Sequence, residues 1–510
     1  MASDDIGIIS GSLSSLESLQ TELIQVGFNP VDPHHRSWKG PIAGAFRQLT
    51  SAPTMRLVFQ DGWPFRAPKI FADGITSQHV NSEGEVCLWT ATDSSFEWLT
   101  LAGIIERIEL WTQRALQGFE EGDLVLDAHL YFEKHDRTLA LVDVPSLKQG
   151  AFEEDDRGDL HGVVEENKCV RILAGIGDRN LPRGRWYFRS SVSIPPRNLS
   201  SFRETLTTNQ RRNFDRKIEA TKKGGEHSIQ LAALIWQTSK GLNAQIIRLE
   251  ADGTEVKAVA LQVAPTDEKT LKLRSGPDLK VLSRKRVVLF GLGAIGSHVA
   301  VLLTEMGVQT VVLVDGDTLR PGNIVRHAAS RQSIGLDKVT AVARTIAERT
   351  PWTDVETILA YPWHPDEIKN RIQGADIVLE ATGLSSFAGH LSTITEELGL
   401  PLVSVALYRG GKIARVRRQM PGRDCPIYKR KGVEKYPIIP PGDDEILGLE
   451  AGCSDPIINA STASVTAAAT LAVRVAVDIL ADRVGVEDEL IQVYEPLEVV
   501  PFDKVGFVGI

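Results

Sequence analysis

At 510 residues the chain is long enough for three domains of ordinary size, and 57 Lys+Arg against 66 Asp+Glu leave a net charge of −9. No long basic run breaks that acidic balance, which argues against a nucleic-acid partner. Four cysteines, Cys87, Cys169, Cys425 and Cys453, form no C-x-x-C pair, which argues against structural zinc and for free thiols in a reducing cytoplasm.

No charged-then-apolar leader follows Met1, and the most apolar long stretch, Ala460 to Leu480, carries Arg474 and Asp478; a buried amphipathic helix, not a membrane span, is expected there. In chain order, the spacing of Leu13, Leu16, Leu19, Leu23 and Ile24 predicts a first helix over Leu13 to Val26. A strand over Thr54 to Phe59 follows, then Gly62-Trp63-Pro64-Phe65-Arg66-Ala67-Pro68-Lys69-Ile70, whose two prolines impose an extended path. The stretch His79-Val80-Asn81-Ser82-Glu83-Gly84-Glu85-Val86-Cys87-Leu88-Trp89 comes next, and a helix carrying Leu101, Ile104, Ile105, Ile108 and Leu116 closes the unit.

That order over roughly residues 10 to 120 resembles the ubiquitin-conjugating enzyme fold: helix, antiparallel sheet, a P-F-x-x-P segment, a His-x-Asn element, an active cysteine, then helices. Val80 stands where that family usually has proline, and the interval from Asn81 to Cys87 is short. The resemblance implies that Cys87 carries an acyl group as a thioester. Asn81 then donates to the oxyanion when an amine attacks, and His79 braces the loop.

From about Gly122 to Arg284 the pattern is β-rich. Strands are expected over Leu124 to Phe132, Leu139 to Val142, Cys169 to Leu173, Trp186 to Phe188, Ile229 to Trp236, Ala244 to Leu249 and Glu255 to Val263. Cys169 reads as a core residue, and Gly150 to Gly158 as an exposed acidic stretch.

The next stretch runs from Lys285 to Lys338. An apolar strand (Val287 to Phe290), a G-x-G-x-x-G turn (Gly291, Gly293, Gly296), an apolar-faced helix and a second strand (Thr310 to Val314) ending in Asp315 form a βαβ unit. The glycines let backbone amides approach a phosphate, and Asp315 is placed to bind a ribose. Asn323, Arg326 and Lys338 follow at short spacings. Two cations and an amide suit a triphosphate, whose departing pyrophosphate they can stabilise.

Here the stretch resembles the adenylation domain of ubiquitin-activating enzymes and the ThiF/MoeB activators. Their glycine turn, ribose acid, Asn, Arg and Lys match Gly291 to Gly296, Asp315, Asn323, Arg326 and Lys338. The resemblance implies ATP and Mg2+ as cofactors, attack of a protein C-terminal carboxylate on the α-phosphate, and a homodimer. The strand Ala375 to Gly383 ends in Gly383 where the family carries a magnesium-binding aspartate, so the metal role is expected to move to Glu380 or Asp317. Pro401 to Ala406 and Gly410 to Arg418 read as strands. Gly422 to Leu449 reads as a mobile loop over the site, and Cys453, near the start of the final helix, is preferred to Cys425 as the first thioester cysteine.

The expected architecture is therefore multidomain α+β and α/β. A ubiquitin-conjugating-like domain covers 1–121, a β-rich middle domain 122–280 and a Rossmann-like adenylation domain 281–510. The fused order resembles bacterial proteins of anti-phage CBASS operons, which implies as substrate a cGAS-like nucleotidyltransferase, or alternatively a ubiquitin-like or sulfur-carrier protein, with an activatable C-terminus, joined to an amine on a target. Two other readings stay open. A nicotinamide-dependent oxidoreductase would leave Arg326, Lys338 and Cys87 without tasks, and a non-catalytic scaffold is suggested by the lost magnesium aspartate.

Overall fold

The computed structural model describes residues 13–90, 93–119, 126–165, 169–430, 445–449 and 456–508. Compactness divides the chain into two units, Met1–Thr270 and Leu271–Ile510, where the sequence places boundaries at 121/122 and 280/281. The second boundary moves because residues ahead of 281 already belong to the C-terminal unit: Asp278 forms a bidentate pair with Arg483 (2.6 and 2.8 Å). The first does not separate compact bodies. Ser82 N–H donates to the Leu130 carbonyl (2.9 Å), and the Tyr131 hydroxyl donates to the Gln78 carbonyl, stitching across residue 121.

The N-terminal part begins with α1 (Leu13–Gln25), followed by the antiparallel meander β1 (Asn29–Pro30), β2 (Ser37–Pro41), β3 (Thr54–Val58), β4 (Lys69–Ala72) and β5 (Glu85–Val86). Alternation puts Trp38, Met55, Leu57 and Ile70 on the covered face, where they meet Leu19 and Leu23 of α1 and Ile104 and Ile108 of α2 (Leu101–Gln117). Thr100 Oγ1 accepts from Gly103 N–H (3.1 Å) and starts α2, while the Trp98 indole donates to the Pro64 carbonyl (2.8 Å) and pins the proline-rich segment beneath.

Then comes a closed barrel. Its strands are β6 (His135–Val142), β7 (Arg157–Val164), β8 (Cys169–Ala174), β9 (Arg183–Arg189), β10 (Leu231–Thr238), β11 (Gly241–Asp252) and β12 (Glu255–Pro265), in the spatial order β10-β11-β12-β6-β8-β7-β9. β10 reads as an unbroken apolar run because both of its faces are covered. Leu231, Ala233 and Ile235 fill the barrel with Leu160, Ile172 and Trp186, whereas Ala232, Leu234 and Trp236 face Phe202 of α3 (Leu199–Thr205) and Phe214 of α4 (Thr208–Lys222). The two helices are absent from the sequence reading, although their signal is present: Asn198 with Ser201 and Thr207 with Gln210 form reciprocal capping boxes. The strand expected over Leu124 to Phe132 is corrected, since Ala128–Tyr131 is a 3-10 turn. Cys169 is half-buried rather than core.

The C-terminal unit is an eight-stranded sheet. Its strands are β13 (Arg286–Phe290), β14 (Thr310–Val314), β15 (Asp354–Ile358), β16 (Ile377–Glu380), β17 (Leu402–Tyr408), β18 (Ile413–Gln419), β21 (Glu489–Val493) and β22 (Gly506–Phe507), in the order β15-β14-β13-β16-β17-β18-β21-β22. The pairs from β15 to β17 are parallel, and those from β17 to β22 are antiparallel. A separate ribbon pairs β19 (Ile446–Leu449) with β20 (Pro456–Ile458). One face of the main sheet is covered by α5 (Ala294–Glu305), α6 (Lys338–Arg349) and α9 (Thr462–Leu480), the other by α7 (Pro365–Ile372) and α8 (Ser385–Leu398). By length and composition α9 could cross a membrane, but here its Ala468, Ala472 and Ala476 are fully buried in the unit's core. The expected mobile loop from Gly422 is corrected over its first residues: Asp424 forms a bidentate pair with buried Arg418 (2.7 and 2.9 Å), and Ile427 enters the core.

Candidate functional site

In this sheet the chain runs outward from β13 through β14 to β15, then returns to add β16 and β17 on the other side. That reversal opens a crevice at the carboxyl ends of β13 and β16, where α/β sheets bind ligands. Two loops meet there almost backbone to backbone. Gly291 has φ +86°, and a Cβ on it would lie 2.7 Å from Thr382 N; a Cβ on Gly296 would lie 1.9 Å from the Gly291 carbonyl oxygen. Gly293 differs, because a Cβ there would meet nothing within 4 Å. It is also the N-cap of α5, and no side chain caps that helix. The first amides of α5 are left for an anion.

Asp315, at the end of β14, holds this loop. Its Oδ2 accepts from Leu292 N–H (2.6 Å) and its Oδ1 from Asp317 N–H (2.8 Å). Burial pushes its carboxyl up from the usual carboxylate value, with Lys338 pulling the other way. A carboxylate has further lone pairs, so the two backbone bonds leave room for ribose hydroxyls.

A residue that the sequence reading passed over completes the brace. His327, 7% exposed, accepts at Nδ1 from Ala329 N–H (3.0 Å) and therefore donates from Nε2 to the Leu292 carbonyl (2.9 Å). Burial lowers its pKa to about 4, so it is neutral at pH 7. The unfolded chain binds this proton near the ordinary imidazole value of 6.5 and the folded chain does not, so stability is present in full above that value and is lost as pH falls from 6.5 toward 4. The slope is about 1.4 kcal/mol per pH unit in that window. Denaturation midpoints at pH 7 and pH 5 test this: His327→Asn is expected to lower stability at pH 7 and to flatten the acid slope, and an unchanged slope would remove His327 from the account.

The crevice comprises two adjoining cavities of about 300 and 380 Å³ that share Gly293, Asp317, Lys338, Ala381 and Thr382. The first is walled by Tyr361, Pro362, Trp363 and Phe387, an apolar surface suited to a planar base. The second is lined by Arg320, Asn323, Arg326, Gly383 and, from the chain leading into α9, Ile458 and Ala460. Asn323 Oδ1 accepts from Arg320 N–H (3.0 Å), and the Arg326 guanidinium donates to the carbonyls of Ile458 (2.7 Å) and Ala460 (3.3 Å). Lys338 is the first residue of α6, a place where the helix dipole disfavours a cation; Asp317 Oδ2, 2.6 Å from its Nζ, offsets that cost. The Tyr361 hydroxyl donates to the other Asp317 oxygen.

Glu380 does not fit the metal role expected of it. It is 1% exposed, and its oxygens are taken by Thr382 N–H (2.8 Å), the Thr382 hydroxyl (2.5 Å) and the Ser404 hydroxyl (2.7 Å); it supports the Thr382 turn from below. Among the described residues no group of three or more His, Cys, Asp or Glu side chains forms a metal site. Asp317 is the carboxylate that lines both cavities. With one bond on each oxygen, from Lys338 and from Tyr361, Asp317 keeps lone pairs on the groove side, and it would hold magnesium there together with phosphate oxygens and water.

In the N-terminal unit a cleft of about 540 Å³ contains Cys87 and Asn81 along with Lys69, Glu85, Trp89 and Asp93. Cys87 follows β5 directly; its N–H donates to the His79 carbonyl (2.8 Å), and its sulfur lies 3.9 Å from the Trp89 carbonyl oxygen. Burial pushes the Cys87 thiol up, Glu85 adds to this, and Arg107 opposes it. His79 is buried with its ring 4.1 Å from that of Phe119, a bracing position. Val80, 0% exposed, bridges to Val86 across the loop. Of the competing cysteines, Cys425 is exposed in the turn after Asp424, and Cys453 lies outside the described residues.

Residues 267–479 match the model of the ThiF family. The uncharacterized protein y4qC of Sinorhizobium fredii is 28% identical over 222 residues, covering 40% of this chain and 38% of that protein. The ATP-dependent ubiquitin transferase-like protein Cap2 of Vibrio cholerae is 32% identical over 146 residues, 27% of this chain and 24% of the relative. The adenylyltransferase and sulfurtransferase uba4 of Aspergillus clavatus is 33% identical over 142 residues, 27% of this chain and 26% of its own length. The chain thus spans well under half the length of these relatives. The matched residues, 267–479, carry the glycine loop, the acid after the second strand and the cationic groove, and are similar to the ThiF family.

Proposed function

We propose that the chain activates the C-terminal carboxylate of a protein by adenylation and passes it through thioesters to an amine. The observation that carries this is the groove in which an uncapped helix N-terminus, Gly293, Arg326, Lys338 and Asp317 surround one space large enough for a nucleotide triphosphate. Asp315 binds the ribose, Asn323, Arg326 and Lys338 take the phosphates, and Asp317 would hold magnesium, which would neutralise phosphate charge. The substrate carboxylate attacks the α-phosphate, forming acyl-adenylate and releasing pyrophosphate. A thiolate then displaces AMP, and Cys453 or Cys425 is the candidate.

The N-terminal part supports the second half of the scheme: an antiparallel meander ends directly at Cys87, and Asn81 shares its cleft. The acyl group moves from the first thiol to Cys87, and an amine then attacks that thioester, forming an amide and freeing the thiol. A cGAS-like nucleotidyltransferase or a ubiquitin-like protein is the substrate class, by likeness to Cap2, and a homodimer is the expected assembly.

Calorimetry and cysteine variants test the reading. ATP with Mg2+ is expected to bind and NAD+ is not; the reverse result would favour an oxidoreductase. With a candidate substrate, Cys453→Ala is expected to retain ATP–pyrophosphate exchange yet load nothing downstream, because adenylation precedes thiol attack. If Cys425→Ala behaves that way and Cys453→Ala loads normally, the assignment passes to Cys425.

A further inference from the structure

The interval between Asn81 and Cys87 is short, and the structure shows how the chain closes it. Asn81 N–H donates to the Glu85 carbonyl (3.1 Å), and Glu85 N–H donates back to Asn81 Oδ1 (3.0 Å). A third bond joins their side chains: Asn81 Nδ2 donates to Glu85 Oε2 (3.1 Å), the same oxygen that lies 2.9 Å from Lys69 Nζ. Asn81 Oδ1 also accepts from Glu83 N–H (3.0 Å). The amide of Asn81 is thus held at both ends, its oxygen by the turn and one of its two N–H hydrogens by Glu85. All four of Lys69, Asn81, Glu85 and Cys87 line the one cleft.

We propose that Glu85, itself held by Lys69, is a positioning residue for the Cys87 reaction: by taking one Asn81 N–H it orients the other toward the oxyanion formed when an amine attacks the thioester. The proposal rests on the reading of Cys87 as an acyl carrier. An amide side chain carries two donor hydrogens, and an oxyanion donor works only if it is aimed before charge develops. A carboxylate anchored by a lysine on the neighbouring strand aims it without movement at the moment of reaction. The same carboxylate stands near the thiol and disfavours its thiolate, so Glu85 leaves a second trace that does not depend on turnover.

The test charges Cys87 in the full-length chain directly with a peptide–2-mercaptoethanesulfonate thioester, maps the adduct by mass spectrometry, and follows its discharge to free lysine. Glu85→Ala is expected to charge at least as readily as wild type, because its thiol ionises more easily, and to discharge about tenfold to a hundredfold more slowly, a loss of orientation. Glu85→Gln, which keeps an acceptor for Asn81 Nδ2, is expected to recover most of the rate. The Glu85→Ala/Asn81→Ala double variant is expected to discharge no more slowly than Asn81→Ala alone. Alkylation of Cys87 by iodoacetamide is expected to shift to lower pH in both Glu85 variants, because both remove the charge. Wild-type discharge in Glu85→Ala, or additive losses in the double variant, would overturn the proposal. If wild-type Cys87 accepts no acyl group while its alkylation profile still shifts in Glu85→Ala, the fault lies with the acyl-carrier reading rather than with the Glu85 contact.

Discussion

Lys338→Ala is expected to cut substrate-dependent ATP–pyrophosphate exchange on the order of a hundredfold or more, the cost of removing one preorganised group from a developing charge. The size of the effect follows from where the lysine sits. Its Nζ lies 2.6 Å from Asp317, its side chain is only 12% exposed, and it borders both cavities of the groove. Without it, Asp317 loses its ion-pair partner beside the triphosphate, so the loss exceeds that of an exposed lysine. Lys338→Arg keeps charge but not the compact point contact, and is expected to recover only part of the rate. ATP affinity, measured separately, is expected to fall less than the exchange rate, since most of the lysine's contribution is to the transition state. Full exchange in Lys338→Ala would refute its role at the phosphates.

Cys87→Ser is expected to abolish transfer to the amine target while leaving pyrophosphate exchange intact. The two reactions are assigned to separate compact units, so a change in the first leaves adenylation untouched. A serine in place of the thiol converts a dithiothreitol-sensitive thioester into a thiol-resistant ester, and the stalled adduct reports the position directly by mass spectrometry. The raised thiol pKa also sets a pH dependence. At neutral pH Cys87 is mostly protonated, and loading through its thiolate is expected to rise with pH until the thiol ionises. Conjugation at full rate with Cys87 unmodified would end the conjugating reading. Transfer from one thiol to another is nearly neutral in energy, so its rate depends on apposition of the two thiols.

Much of this was legible without coordinates because it is written in local pattern. The βαβ unit from Arg286 to Val314, with glycines at 291, 293 and 296 and an acid at 315, announces itself by period and order, and its strands and helix fall where the periodicity puts them. In the N-terminal part the run from Thr54 marks β3 and the prolines mark the extended path into β4, while the antiparallel sheet as a whole is implied only by the family resemblance. Charged helices were harder: α4 has a polar sequence, its one large buried anchor is Phe214, and only its capping box marks it. Barrel closure rests on β9 pairing with β10 across a long intervening stretch, which no local signal encodes.

The roles of individual polar groups were decided by tertiary structure alone. From sequence, Glu380 and Asp317 are equivalent acids at the carboxyl ends of two apolar strands. Only packing buries Glu380 under Thr382 and Ser404, where every donor it needs is already bound, and leaves Asp317 on the groove beside Lys338. His327 carries no motif, and its neutrality and its grip on Leu292 arise from burial and from two backbone partners. Glu85 likewise reads as one more acid in a loop until the fold brings Lys69, on the neighbouring strand, to its carboxylate. Residue type and spacing along the chain determine strands, helices and turns because those depend on neighbours in sequence. The state of a buried acid or histidine depends on what lies across the fold, and that is set only when distant segments meet.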